Sequence, residues 1–274
     1  MKRILGLMVL LTLSVSLGYA AQVDTIEVHS ASMNKDIKCV VVLPDSYAKT
    51  KAAFPVVYML HGYSDNYASW VQHSPDFIKN VDRYGIIGVC PDGNFSSWYF
   101  DSPIDPLVKY ETFVSQELPD YIDSHYNTHK DRKYRALGGL SMGGHGALYI
   151  GILHKDRFGA AFSLSGGVDF TPFPKNWKID KVLGDYDQNK EVWQRHTVQY
   201  LAGTLNNKDL AISFECGTGD FFLGVNRALH LKLKNLKIDH DYAERPGAHN
   251  WAYWDNAINY QMLFIHRYFT GRGE

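Results

Sequence analysis

The sequence predicts an α/β fold in which helices flank a mostly parallel central sheet on both faces. Short apolar runs of strand length alternate with longer runs of helix length, the pattern of parallel strands joined by crossover helices. The apolar runs in the middle of the chain are continuous, as expected for strands that are buried on both faces. The 274 residues suit a single domain of this class.

The N-terminus has the composition of a secretory signal peptide. Lys2 and Arg3 precede an uncharged apolar run over residues 4–17, and the small residues Gly18 and Ala20 follow it. The run is shorter than the roughly 20 apolar residues that a membrane span needs. We therefore expect cleavage after Ala20; a buried N-terminal strand or helix is the alternative interpretation.

These features divide the chain into a signal peptide, residues 1–20, and one folded domain, residues 21–274. No cysteine follows the apolar run, so no lipid anchor is expected at the mature N-terminus. The mature protein is expected to be exported, either to the periplasm or out of the cell.

Composition excludes several classes of partner. The net charge of −1 gives no electrostatic reason to expect binding to nucleic acid or to an anionic membrane.

The three cysteines, Cys39, Cys90 and Cys216, all fall in predicted strands. Their odd number and wide spacing predict buried thiols rather than a disulfide framework or a C-x-x-C metal site.

Eight runs are predicted to be strands. Residues 36–43 alternate, with Ile37, Cys39, Val41 and Leu43 on one face, which indicates a half-buried strand. The predicted strands are residues 24–30, 36–43, 54–60, 86–90, 134–140, 158–165, 210–216 and 239–243.

Four longer runs are predicted to be helices: residues 111–125, with a kink at Pro119, and residues 145–153, 223–235 and 252–269. Residues 168–207 break the alternation, since polar and aromatic side chains are mixed there without a clear period. We predict that this segment forms loops and short helices that cap one edge of the sheet.

The stretch G-L-S-M-G-G, residues 139–144, joins a predicted buried strand directly to a predicted helix. Such a sharp turn forces its apex residue, here Ser141, into strained backbone geometry and lifts the side chain clear of the sheet. The flanking glycines leave room for the bend. A serine in this position is typical of a nucleophile, although a glycine-rich turn without chemistry has the same pattern.

Two backbone amides are predicted to form an oxyanion hole beside Ser141. His61 and Gly62 follow the first buried strand, and the turn that they make would direct the amide of Tyr63 toward a developing negative charge. The amide of Met142 would be the second donor. The side chain of His61 is expected to brace the turn.

An acid and a histidine follow two later strands. Asp220 lies in a glycine-containing loop just after the strand at 210–216, where capping of the next helix is the alternative role. His249 lies in the loop after the last strand. The chain order Ser141, Asp220, His249 is that of the α/β-hydrolase fold, and a parallel sheet would bring the three side chains to one edge. His249 would then take the serine proton while Asp220 orients the imidazole.

The combined motifs resemble the esterase D group of α/β-hydrolases, which includes feruloyl and acetyl xylan esterases, S-formylglutathione hydrolases and mycolyltransferases. Segments 64–70 and 97–99 are most similar to the tributyrin-esterase-like branch. Gly219 is a departure, since Glu is common there in the group, and it predicts a slightly looser acid loop. The motifs that carry the resemblance are His61-Gly62, Pro91-Asp92-Gly93, residues 139–144, Cys216-Gly217-Thr218-Gly219-Asp220 and Gly247-Ala248-His249-Asn250-Trp251.

The resemblance implies a carboxylesterase that needs no metal or other cofactor, acting through an acyl-serine on short-chain or aromatic acyl esters. The substrate would be a small molecule or a decorated polysaccharide. Trp98, Tyr99 and Trp251 are candidate substrate-binding residues, while capping of the core is the alternative for the first two. Alternative functions on the same fold are a thioesterase, an acyltransferase and a non-catalytic binding module. The oligomeric state is left open.

Overall fold

The computed structural model describes residues 21–271, so the predicted signal peptide lies outside the described residues. The centre of the molecule is an eight-stranded sheet with the order β1-β2-β4-β3-β5-β6-β7-β8. The strands are β1 (Gln22–Ser30), β2 (Lys35–Leu43), β3 (Val56–Leu60), β4 (Ile87–Pro91), β5 (Arg135–Leu140), β6 (Ala160–Leu164), β7 (Ala211–Gly217) and β8 (Asp241–Arg245).

The prediction of a mostly parallel sheet is confirmed. Strands β3 to β8 run parallel to one another, whereas β2 is antiparallel both to β1 and to β4. Every residue of β3, β4, β5 and β6 is buried, which explains why their sequences are apolar apart from Arg135 and Ser163. The carboxyl ends of the six parallel strands therefore share one edge of the sheet.

The helices lie on both faces of the sheet. They are α1 (Ser69–His73), α2 (Pro75–Tyr84), α3 (Tyr110–Thr112), α4 (Leu118–His125), α5 (Met142–Leu153), α6 (Asp180–Leu183), α7 (Lys190–Arg195), α8 (Val198–Leu201), α9 (Leu223–Asn235) and α10 (Trp251–Phe269). Short 3-10 turns occur at Tyr47–Lys49, Arg132–Tyr134 and Ala202–Thr204.

The helices differ in detail from the prediction. Helices α1 and α2 were not predicted. The helix predicted at 111–125 is present as α3 and α4 joined without a break by a π-helical turn, Phe113–Glu117. Pro119, where a kink was predicted, lies in the first turn of α4 directly after the π-helical turn. Helix α5 begins at Met142, because the turn at Ser141 passes into it without a loop.

Each face of the sheet has its own apolar core. Alternate residues of β3 point to opposite sides, so that Tyr58 packs in one core and Met59 in the other. The core that includes Met59 is closed by α2 and α10, with Ile258 and Met262 fully buried. The other contains α5, α9 and much of the segment 168–207, including the fully buried Trp193.

Segment 168–207 is confirmed as loops and short helices, since it contains only α6, α7, α8 and the 3-10 turn. The three cysteines are buried free thiols in β2, β4 and β7, as predicted. Between residues 21 and 271, none of the helices combines the length and the hydropathy that a membrane span requires.

Candidate active site

Ser141 occupies the sharp turn between β5 and α5. Its backbone has φ +53° and ψ −117°, a strained conformation for a residue with a side chain. Two glycines make the turn possible: a Cβ on Gly139 would lie 2.4 Å from the carbonyl oxygen of Gly143, and one on Gly143 would lie 2.2 Å from that of Leu60. The backbone of Ser141 is held on β6, because its amide donates to the Leu164 carbonyl at 2.9 Å.

Ser141, His249 and Asp220 form one chain of hydrogen bonds. The serine Oγ lies 2.9 Å from Nε2 of His249, and Nδ1 of the same ring lies 2.8 Å from Oδ2 of Asp220. A carboxylate can only accept, so Nδ1 carries the proton and Nε2 of the neutral ring accepts from the serine hydroxyl. The structure thus brings together three residues that are separated by up to 108 positions in the sequence.

Asp220 accepts hydrogen bonds both from its own loop and from His249. Its side chain is fully buried, and its second oxygen, Oδ1, accepts from the amide of Phe222 at 2.8 Å. The capping alternative is wrong, because α9 begins at Leu223 with Phe222 as its N-cap residue and no side chain caps it. The bond to the Phe222 amide instead closes a turn within the acid loop, so each carboxylate oxygen has a separate partner. The acid loop is tied to the His249 loop by the Gly219 amide, which donates to the Gly247 carbonyl at 2.8 Å. This bond restrains the loop that Gly219 was predicted to loosen.

Aromatic rings surround the imidazole of His249. Phe221 lies against it with a centroid distance of 4.2 Å, and Trp254 meets it edge-on at 4.9 Å. The imidazole keeps 16% of its surface exposed, so it is held in place but remains accessible. Close packing of this kind limits the ring to few orientations.

The predicted oxyanion donors flank Ser141. Gly62 approaches the nucleophile so closely that a Cβ there would lie 3.6 Å from Cβ of Ser141. Within residues 21–271, the backbone amides of Tyr63 and Met142 have no hydrogen-bond acceptor, although Met142 as a whole is buried.

His61 is part of the scaffold of this turn. Its Nδ1 donates to the Gly62 carbonyl at 2.8 Å, and its Nε2 accepts from the amide of Gly93 at 2.7 Å. Complete burial lowers the pKa of His61, so the ring is neutral and fits this donor and acceptor pattern. The structure agrees with the predicted bracing role.

The predicted substrate-binding role is wrong for two of the three candidate residues, Trp98 and Tyr99. Trp98 and Tyr99 are 1% and 0% exposed, and both side chains belong to the core. Both residues have positive φ, +55° and +60°. Tyr99 donates from its hydroxyl to the His61 carbonyl at 3.1 Å, which supports the same turn. Trp251 is partly buried against Trp70, with a centroid distance of 5.3 Å. The first two residues therefore cap the core, the alternative that the sequence also allowed.

Other residues form the partly exposed wall of the site, which we call the rim: the aromatic residues Tyr63, Phe95, Trp177 and Phe221, together with Lys178. Phe221 and Phe95 are 52% and 46% exposed. Trp177 stacks on Phe221 at 5.9 Å with an interplanar angle of 20°, and Phe95 meets Tyr63 edge-on at 4.8 Å. The rim therefore extends from the His249 side of the site to the Tyr63 side.

Trp177 and Lys178 connect these two sides. The ammonium of Lys178 lies 4.7 Å from the centre of the Phe95 ring, while Trp177 packs on Phe221. Both residues have positive φ, +55° and +54°, an unusual conformation for two successive residues with side chains. The position of Phe221 beside Asp220 in the sequence could have identified it, whereas nothing local distinguished Phe95 or Lys178.

Two surface cavities lie away from Ser141, Asp220 and His249. A surface cavity of about 510 Å³ lies between β7, β8 and α10, where Asp239, Tyr260 and Arg267 contribute to its wall. A second, polar cavity of about 310 Å³ lies beside α7 and α8, with Asp169 and Gln194 in its wall. Among residues 21–271, no three His, Cys, Asp or Glu side chains are grouped so that they could hold a metal ion.

Comparison with known proteins agrees with this geometry. The model of the Esterase family matches residues 30–265. An acetyl esterase from Caldicellulosiruptor saccharolyticus is 28% identical over 214 residues, covering 74% of this chain and 79% of the relative. Diacylglycerol acyltransferase/mycolyltransferase Ag85A from Mycobacterium leprae is 30% identical, covering 86% and 80%.

Among solved structures, a ferulic acid esterase superposes with a TM-score of 0.79 at 27% identity. The match covers 91% of this chain and all of that one. The residues that the family model matches include strands β2 to β8, the turn at Ser141 and the loops that carry Asp220 and His249. The chain therefore belongs to the esterase family, and it is a carboxylic ester hydrolase with the α/β-hydrolase fold.

Proposed function

We propose that this protein is an exported serine carboxylesterase in which Ser141 is the nucleophile, His249 the general base and Asp220 the residue that orients the base. The observation that carries the proposal is the chain of hydrogen bonds from Ser141 Oγ through His249 to Asp220, at 2.9 and 2.8 Å. A serine hydroxyl is a weak nucleophile near neutral pH, so a base in this position is what the reaction needs.

The first half of the reaction forms an acyl-enzyme. His249 Nε2 takes the hydroxyl proton while Ser141 Oγ bonds to the ester carbonyl carbon, and the carbonyl electrons move onto oxygen. The tetrahedral intermediate then expels the alcohol, which leaves with the proton from Nε2. In the second half, water gives a proton to Nε2 and attacks the acyl carbon, and Ser141 leaves with that proton, which regenerates the free enzyme.

The amides of Tyr63 and Met142 are proposed to bind the developing oxyanion. Both N–H groups flank Ser141 and have no acceptor within residues 21–271. Donors that are already in place stabilise the charge without reorganisation, and loss of one such donor typically raises the barrier by about 3 kcal/mol.

The proposed substrates are short-chain or aromatic acyl esters, such as acetyl or feruloyl groups on a polysaccharide. Similarity to an acetyl esterase and to a ferulic acid esterase supports both classes. The exposed rings of the rim support the aromatic class, since a planar acyl group could pack between Phe221 and Phe95 beside Ser141. The protein needs no metal or cofactor for these steps.

Export is the part of the proposal that rests on the sequence alone. Lys2 and Arg3, the uncharged apolar run at 4–17 and the small residues up to Ala20 support a signal peptide at residues 1–20. Residues 21–274 would then be the catalytic domain, in the periplasm or outside the cell. Extracellular polysaccharide esters are substrates that such a location makes reachable.

Acyl transfer is a second candidate. It is favoured by the 30% identity to a diacylglycerol acyltransferase/mycolyltransferase over 86% of this chain. In transfer, an acceptor hydroxyl replaces water in the second half of the reaction. Comparing acylated sugar with free acid as products of one ester separates the two activities.

The direct test of the proposed function is Ser141→Ala in the purified protein. We expect hydrolysis of p-nitrophenyl acetate to fall by at least about 10⁴-fold. Ser115→Ala is a matched control, because Ser115 is buried and its hydroxyl has no hydrogen-bond partner in the described residues. Hydrolysis that survives in Ser141→Ala at the rate of this control would exclude Ser141 as the nucleophile.

A further inference from the structure

Glu215 is a buried carboxylate just upstream of the acid loop. It lies in β7, five residues before Asp220, and its side chain is 0% exposed. An acidic side chain in an apolar strand is expensive to bury unless donors surround it. Three donors from two other elements do so here, and none of them belongs to the site described above.

The three donors come from β8 and α10. Arg245 and Gln261 both donate to Oε2 of Glu215, the latter at 3.0 Å, and the Tyr253 hydroxyl donates to Oε1 at 3.0 Å. Arg245 is the last residue of β8, and Tyr253 lies in the first turn of α10. These two residues stand four positions before and four positions after His249. One carboxylate therefore anchors both ends of the loop that carries the proposed general base.

Contacts within the loop transmit this anchoring. A Cβ on Gly247 would lie 2.3 Å from the Tyr253 ring, so the ring defines the path of the chain two residues before His249. The Tyr253 amide donates to Oδ1 of Asn250 at 3.1 Å, which fixes the residue after His249. A shift of the Tyr253 ring would consequently move the backbone on both sides of His249.

Stability alone is a poor reason for this arrangement. Buried ion pairs rarely stabilise a protein more than well-packed apolar side chains of similar volume do, and they are better at specifying one geometry. The geometry at stake is the 2.9 Å contact between His249 and Ser141. Reactions of positioned groups are sensitive to this distance, since a displacement of about 1 Å can lower the rate by about 10²-fold.

We infer that Glu215 is a positioning residue for catalysis: through Arg245 and Tyr253 it holds the His249 loop so that the imidazole meets Ser141. The inference rests on the proposed catalytic roles of Ser141 and His249. Glu215 itself touches no reacting atom and transfers no proton.

Tyr253→Phe is the mildest test, because it removes one hydroxyl and keeps the ring against Gly247. We expect kcat for p-nitrophenyl acetate to fall about threefold to tenfold while KM stays within about twofold, since only the base is displaced. Tyr149→Phe is the matched control: it removes another tyrosine hydroxyl that donates to a carboxylate, Glu111, at 3.1 Å, and it should leave kcat unchanged.

Glu215→Leu removes both carboxylate oxygens that accept from Arg245, Tyr253 and Gln261. We expect kcat per folded molecule to fall by about 10²-fold. The amount of folded protein is measured independently. Glu215→Gln keeps one oxygen for Arg245 and Gln261, so it should recover much of this loss. The rate at which a fluorophosphonate labels Ser141 should follow the same order, because labelling also requires the base but not the ester-binding rim. Asp123→Asn, which breaks the buried Arg135–Asp123 pair at the other end of β5, should lower stability and leave that rate unchanged.

The double variant Glu215→Leu with Tyr253→Phe should lose no more activity than Glu215→Leu alone, since both changes act through one network. Unchanged kcat and labelling rates in Tyr253→Phe and Glu215→Leu, or an equal effect of Asp123→Asn, would overturn the inference. If these variants are normal while Ser141→Ala is inactive, only the positioning role fails. Activity in Ser141→Ala would instead contradict the proposed function.

Discussion

The carboxylate of Asp220 accepts a hydrogen bond from Nδ1 of His249 at 2.8 Å, and this single contact determines which ring nitrogen faces Ser141 without a proton. The second oxygen of Asp220 accepts from the Phe222 amide, so the carboxylate cannot rotate without losing a bond in its own loop. The orientation of the base is therefore set by the acid loop, which is in turn bonded to the His249 loop through Gly219.

Asp220→Asn should separate orientation from packing. An amide of the same shape that directs its NH₂ group at Nδ1 stabilises the wrong tautomer, so that Nε2 carries the proton and cannot accept from Ser141. We expect kcat to fall by about 10⁴-fold at neutral pH with little change in thermal stability. Steady-state kinetics and a melting curve on the same preparation check this. A variant that retains more than about a tenth of the normal kcat would show that Asp220 does not orient the base.

Gly143→Ala should prevent the turn at Ser141 from forming. The added Cβ would lie 2.2 Å from the backbone oxygen of Leu60, and neither β3 nor α5 can move away, since both are buried. We expect a loss of roughly 3 kcal/mol or more in the free energy of unfolding, or no soluble protein. Chemical denaturation measures the difference.

Gly224→Ala provides the matched control for this prediction. Gly224 also lies in a helix, α9, but nothing is within 4 Å of a Cβ placed there. Its substitution should stabilise the protein by up to about 1 kcal/mol through helix propensity. Equal effects of the two substitutions would contradict the steric explanation of the turn.

The fold was largely predictable because its signals are local. Continuous apolar runs identified the parallel strands, and the turn at residues 139–144 has a sequence that few other geometries require. The last strand was placed two residues early, at 239–243 instead of Asp241–Arg245, because it lies at the edge of the sheet and is polar. The serine, acid and histidine could be chosen since each follows a different strand at the same edge of the sheet.

The walls of the site were not predictable in the same way. The sequence shows that Trp98 and Tyr99 follow a strand at the correct edge, but both side chains are buried in the core, and no sequence pattern reveals this. Lys178 and Phe95 meet only through tertiary structure, at 4.7 Å. The partners of Glu215 are likewise up to 46 residues away in the chain.

His145 should make the fold sensitive to acid. Its ring is fully buried among aromatic side chains, with Nε2 donating to the His196 carbonyl at 2.9 Å, and burial lowers its pKa to about 3. In the unfolded chain the pKa is about 6.5. Between these values the unfolded state binds a proton that the folded state does not, so the free energy of unfolding falls as the pH falls, by up to about 1.4 kcal/mol per pH unit.

His145→Gln tests this contribution, because the glutamine amide can still donate to His196 and does not titrate. Between pH 7 and pH 5 the variant should lose about 2 kcal/mol less stability than the unmodified protein. Urea unfolding at both pH values gives the comparison. Parallel losses in the two proteins would mean that His145 is not the group that takes up the proton.

Trp177→Ala should alter the choice of acyl group. Removing the indole leaves Phe221 without its stacking partner and opens one side of the rim. We expect kcat/KM for methyl ferulate to fall about fivefold to tenfold, while that for methyl butyrate changes by less than about twofold. Tyr186→Ala, in the same segment but packed on Trp193, is the control and should not change the ratio of the two values. A ratio unchanged in Trp177→Ala would exclude the rim from acyl recognition.

The central claim is that an ester passes its acyl group to Ser141. The most direct measurement is an acid quench during hydrolysis of p-nitrophenyl acetate, followed by mass spectrometry of the peptide that contains residue 141. The account predicts a peptide heavier by one acetyl group with the modification on Ser141, and none in Ser141→Ala. Full turnover with an acetyl group on another residue, or with Ser141→Ala turning over normally, would contradict it.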